Sequence, residues 1–163
     1  MRVLLVLVLV LLMPLSAMAA GWSHYSNARF GYAIDVPPGF IGQGESANGD
    51  GQAFKTPTAT LRVFGRYIVD GGFEDQVRAE QDYAKQDGWA ITYAVSTPRY
   101  ASFSGVKAGR VSYTRMIPLC GDAFAEFDLA YSKADIQKFN PSIDQLVASL
   151  KPTDGSAACP RKP

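Results

Sequence analysis

Short segments in which apolar and polar residues alternate, each closed off by glycine or proline, constrain this chain more than any other feature. Period-two alternation marks a strand with one buried face. Phe30, Tyr32, Ile34 and Val36 alternate up to Pro37-Pro38-Gly39, where proline ends the ladder. Leu61, Val63, Tyr67 and Val69 oppose Arg62, Phe64, Arg66 and Ile68. Ala125, Phe127, Leu129 and Tyr131 oppose Phe124, Glu126, Asp128 and Ala130. Further strands are expected over 90–97 and 107–117, and Asn27 to Arg29 reads as the turn of a small hairpin. Strands this closely spaced favour antiparallel neighbours.

Two helices interrupt this pattern. Phe73 to Asp87 carries Glu74 and Asp75 in its first turn, Lys85 in its last, and Gly88 as its stop. Its apolar stripe of Phe73, Val77 and Ala84, with Tyr83 beside it, is thin, so it belongs at the surface. Ser132 and Asp135 suggest a capped short turn. Asn140-Pro141 then reads as the start of a final helix, with Ile143, Leu146, Val147 and Leu150 as a buried stripe ending at Pro152. This order predicts an α+β fold, a mainly antiparallel sheet flanked by helices, in one domain over 20–152. The segment Gly39 to Gln52 holds five glycines and reads as the longest loop, with Glu45, Asn48, Asp50 and Gln52 as candidate binding residues.

Ahead of the domain, Arg2, the apolar run Val3 to Met13, Pro14 and Ala17-Met18-Ala19 have the form of a secretory signal peptide over 1–19. The run is too short for a bilayer span, which takes roughly 20 apolar residues. The expected product is exported, periplasmic or extracellular, without stable membrane insertion. Removing the leader takes one basic residue from 16 and leaves basic and acidic residues equal at 15. That balance gives no electrostatic case for nucleic acid or anionic lipid as partner. In an oxidising compartment Cys120 and Cys159 are expected to pair, tying down the Pro-, Gly- and Ser-rich tail over 153–163. In the chain-entropy model a loop of this length is worth roughly 3 to 4 kcal/mol.

Three stretches carry a family likeness. Tyr25-x-Asn27-x-Arg29-Phe30-Gly31-Tyr32-x-Ile34-x-Val36-Pro37 resembles the opening of PsbP-like domains. Phe139-Asn140-Pro141-x-Ile143-x-x-Leu146-Val147-x-Ser149-Leu150 resembles their closing helix, with Leu150 where an aromatic residue is usual. Together with Asn48-Gly49-Asp50-Gly51-Gln52-x-Phe54 they are similar to exported bacterial proteins of undefined function. The resemblance spans about 35 residues and implies an antiparallel sheet between helical layers. It also implies a protein that binds rather than catalyses, since the superfamily includes a photosystem accessory subunit and a partner of a nuclear-transport GTPase. It assigns no binding residue here.

Catalytic chemistry finds little support in the residues. His24 is the lone histidine and reads as a surface or packing residue rather than a triad base. One histidine and two cysteines do not build the common zinc sites, so no metal or cofactor is expected. Asn48-Gly49-Asp50-Gly51 has a faint likeness to a calcium loop but reads better as a turn. Glu126 and Asp128 share a strand face and read as solvated, although two carboxylates across a cleft would suit a hydrolase. Arg62, Arg66, Arg110 and Arg115, with Tyr67, Tyr113 and Tyr131 on neighbouring strands, would suit a protein or small-anion partner if their sheet face were uncovered. The plainer reading is of arginines with packed stems and wet heads. The leading expectation is a non-enzymatic binding or accessory module that engages an envelope protein or small ligand through the 39–52 loop and sheet edge. A carboxylate-dependent hydrolase using Asp50, Glu126 or Asp128, and a structural envelope protein, stand as alternatives.

Overall fold

The computed structural model describes residues 21–153. The leader therefore lies outside the described residues, as does Cys159. Cys120 is not a free thiol, but its expected partner falls outside the described part of the chain.

Among the described residues ten strands form two antiparallel sheets, accompanied by two α-helices. Strands β1 (Ser23–Asn27) and β2 (Tyr32–Val36) make the predicted small hairpin. The other strands before the first helix are β3 (Ile41–Glu45), β4 (Gly51–Lys55) and β5 (Ala59–Tyr67). Helix α1 (Phe73–Gln86) follows. Next come β6 (Ala90–Thr97), β7 (Tyr100–Lys107), β8 (Arg110–Leu119) and β9 (Ala123–Ser132). A 3-10 turn (Lys133–Asp135), helix α2 (Ile136–Ser149) and the short β10 (Lys151–Pro152) close the domain. The large sheet runs β3-β4-β5-β9-β8-β7-β6, and β1-β2-β10 form a second sheet.

The two faces of the large sheet are covered unequally. Leu61 and Val63 of β5 and Phe127, Leu129 and Tyr131 of β9 pack beneath Tyr32, Ile34 and Val36 of the small sheet and Phe139, Leu146 and Leu150 of the last helix. Among the described residues the opposite face has only α1, whose Val77 joins Ala101, Phe103, Met116 and Phe124. One 14-residue helix lies along roughly 20 Å of a seven-stranded sheet, so part of this second face stays open.

Four expectations need correction. The segment 39–52 is not a loop: β3 and β4 form a hairpin, and the turn between them is confined to Ser46–Asp50. Its glycines serve strand geometry. The register shifts between Gly42 and Glu45, with Gly44 at φ 89°, and a Cβ on Gly51 would lie 2.0 Å from the Val63 carbonyl. Strand β7 was not expected, because Ala101, Ser102, Phe103 and Gly105 are all buried and a strand covered on both sides shows no alternation. Lys107 therefore closes β7, and Ala108-Gly109, both at positive φ, turn the chain into β8. The last helix begins at Ile136 and runs through Pro141. Asn140 is not its cap; its side-chain oxygen accepts the Tyr131 hydroxyl at 2.8 Å.

Candidate functional site

The open part of the second face forms the floor of a groove of about 1160 Å³, walled by the β3–β4 hairpin on one side and α1 on the other. Because directly opposed residues point to the same face, the pairing of β4, β5, β9 and β8 sets the floor out in rows. Gly51–Phe64–Glu126–Met116 is the first, Ala53–Arg62–Asp128–Thr114 the second, and Lys55–Thr60–Ala130–Ser112 the third. Successive rows lie about 7 Å apart along the strands. Arg110, paired with Ser132, comes one row further on.

The acids on this floor are not solvated, contrary to the reading from sequence. Glu126 is 4% exposed. Arg66 is 4.0 Å from its Oε2, which makes no hydrogen bond among the described residues. Burial, followed by the charges of Glu80 and Asp128, pushes its carboxyl well above the ordinary range against Arg66 and Arg62. Asp128 is also raised, chiefly by burial, and is opposed by Arg62 at 3.0 Å and by a hydrogen bond from Thr114. Arg66 turns toward α1, where it meets Glu80 at 2.6 Å and lies over the Phe64 and Phe124 rings. This ion pair ties the helix to the sheet.

The arginine and tyrosine surface weighed against the plainer reading does not form. Alternation sends Arg62, Arg66 and Arg110 to the groove face, whereas Tyr113 and Tyr131 go to the opposite face against Phe127 and Phe139. Arg115 lies 4.0 Å from the Tyr100 ring and donates to Ser102, away from the groove. Tyr67 packs on Phe30.

The candidate residues of 39–52 divide. Glu45 accepts from the Tyr25 hydroxyl at 2.9 Å and from Asn27 at 2.8 Å, binding the hairpin to β1. Asn48 donates to Asp50, and its carbonyl accepts from Arg29. These two hold the turn and do not line the groove. Asp50 and Gln52 do line it. Burial of Asp50 is outweighed by hydrogen bonds from Ser46 and Asn48 and by the charge of Arg29, so its carboxyl lies below the ordinary value. His24 sits outside the groove at the surface, 3.0 Å from Asp35.

The pairing that brings Lys55, Thr60, Ser112, Glu80 and Tyr83 into this groove could not be derived from alternation alone. Alternation puts Thr60 and Arg62 on one face of β5, but not β9 beside β5 or α1 above them. Among the described residues no group of three His, Cys, Asp or Glu is arranged to hold a metal, and no helix is long and apolar enough to cross a membrane.

The chain matches no family model and no curated protein. Solved structures do match. The solution structure of a cyanobacterial PsbP, CyanoP from Synechocystis sp. PCC 6803, aligns at a TM-score of 0.61 with 16% identity, over 84% of this chain and 95% of that one. LpqN of Mycobacterium tuberculosis, described as involved in cell envelope biogenesis, aligns at 0.51 with 11% identity, over 80% and 91%. At such identities the likeness shows the fold, which is PsbP-like α+β, as the sequence motifs implied.

Proposed function

We propose that this protein is an exported, non-enzymatic binding or accessory module whose partner or ligand seats in the groove between the β3–β4 hairpin and α1. The observation that carries this reading is the groove itself: a large concavity floored by three arginines on a rigid antiparallel sheet. The 39–52 segment contributes as a wall, and β3 is at the same time the edge of the large sheet. A protein with a purely structural role has no use for such a groove.

The raised carboxyls of Glu126 and Asp128 favour the hydrolase reading. Their placement argues against it. Both acids come from one strand and one face, Asp128 is neutralised by Arg62, and Asp50 on the hairpin wall is held ionised by its turn. A bond held between two carboxylates needs them on opposite sides. This floor carries its raised acids side by side.

The test is site-specific photo-cross-linking in the native envelope, with probes at Gln43 and Tyr83 on the two groove walls and at Val106 on the far part of the sheet. Adducts from the wall positions and none from Val106 are expected. Adducts from Val106 alone, or from no position, would overturn the proposal.

A further inference from the structure

Within the groove the charges are unevenly matched. Arg66 holds Glu80 beneath α1, and Lys107, directly opposite Arg110 in the β7–β8 pairing, holds Asp87 at 2.9 Å, where Asp87 also feels the charge of Arg62. With these two pairs set aside, Lys55, Arg62 and Arg110 share one further carboxylate, Asp128. Arg62 and Asp128 pair in the second row. Lys55 has no carboxylate within 4.0 Å among the described residues, and Arg110 donates to the Ala130 carbonyl at 3.3 Å rather than to an acid. Asp128 is itself largely withdrawn beneath Arg62, whose side chain is 63% exposed.

The register places these groups around a shallow seat. Lys55 begins the row whose centre is Thr60, Ala130 and Ser112. Arg62 stands one row to one side along β5, and Arg110 one row to the other side along β8. Adjacent strands are about 4.8 Å apart, so long cationic side chains border two hydroxyls and the small Ala130 on three sides. A carboxylate is satisfied by one guanidinium fork. Donors bordering the seat from three directions, with a local excess of two positive charges, suit a doubly charged tetrahedral oxyanion with oxygens available to each.

We infer that Lys55, Arg62 and Arg110, with the hydroxyls of Thr60 and Ser112, form a phosphate-binding subsite, so that the groove takes ligands carrying a phosphate group. This rests on the groove being the binding site, and it names the chemistry recognised there. The phosphate belongs either to a soluble monoester or to a lipid headgroup.

The experiment follows the backbone amides of Thr60, Ala130 and Ser112 by NMR in the mature chain, residues 20–163, during titration with inorganic phosphate, phenyl phosphate and acetate. Parallel flotation uses phosphatidylcholine vesicles with and without phosphatidic acid. Saturable shifts with both phosphates and far weaker ones with acetate are expected. The Lys55→Gln/Arg110→Gln double variant, which breaks no ion pair, should weaken phosphate binding about ten-fold or more. Flotation only with phosphatidic acid, reversed by phenyl phosphate, assigns the headgroup; soluble binding without flotation assigns the monoester. No saturable shift, equal response to acetate, or an unchanged double variant would overturn the subsite. Wall cross-links that persist when phosphate fails to bind would leave the groove reading standing, and phosphate binding without cross-links would do the reverse.

Discussion

Glu126 and Gly51 show how much the meaning of a residue depends on its neighbours. In sequence Glu126 is one polar member of an alternating strand, indistinguishable from a solvated one. In the fold it lies under α1 with one oxygen lacking a hydrogen bond among the described residues. Because its carboxyl is raised on folding, the native state holds a proton that the unfolded chain releases. Stability is therefore greatest below the ordinary carboxyl range and falls as pH climbs toward the raised value. Asp128 contributes with the same sign, and Asp50, whose carboxyl is lowered, with the opposite one. Glu126→Gln is expected to raise the melting temperature at pH 8 by about 3 °C or more, with little change at pH 4. Thermal melts across pH check this, and an equal effect at both ends would contradict the assignment. Gly51 belongs to the same lesson: it resembles loop glycine, yet its role is close approach to β5.

At the scale of elements, the β3–β4 hairpin is tied to the small sheet by the Tyr25 and Tyr32 hydroxyls and, at two points, by Asn27. Asn27, 3% exposed, accepts from the Phe30 amide at 2.9 Å and donates to Glu45 at 2.8 Å and to the Gly49 carbonyl at 3.0 Å. It thus joins the β1–β2 turn to the wall of the groove. Leaving Glu45 and the Gly49 carbonyl without this donor should cost about 2–3 kcal/mol in Asn27→Ala. Denaturant unfolding measures the loss. Hydrogen exchange should show protection falling first at the Ser46 amide, which donates to the Gly51 carbonyl, and at the Gly51 amide, which donates to the Ser46 hydroxyl; uniform loss across the sheet would show Asn27 acting only on the core. Sequence motifs marked Asn27 and the 48–52 turn as features of the family likeness, but not that one holds the other.

For the whole molecule, the decisive feature is unequal coverage of the large sheet. One face is sealed by α2 and the small sheet around a continuous core that includes Leu61, Phe127, Leu129 and Leu146. Among the described residues the other is half covered, and its remainder is the groove. The described chain ends at residue 153, where the Thr153 amide donates to the Gly31 carbonyl at 2.9 Å. The tail that follows carries Cys159. If it pairs with Cys120, the chain gains the mass of two hydrogens on reduction and its melting temperature falls; intact mass spectrometry and melts with and without reductant read both. An unchanged mass would leave the tail untethered.

The amino-acid order by itself determined the α+β class, most of the strands, both helices and the sealing stripe of α2, because burial of one face imposes a period that can be counted along the chain. It did not determine the hairpin at 41–55, where glycine hides a strand, or β7, where burial on both faces erases the period. The groove lay beyond it altogether. Which strands adjoin, and how far one helix reaches across seven of them, depends on contacts between residues distant in sequence. Only tertiary structure decides these, and with them the cluster of Lys55, Arg62 and Arg110.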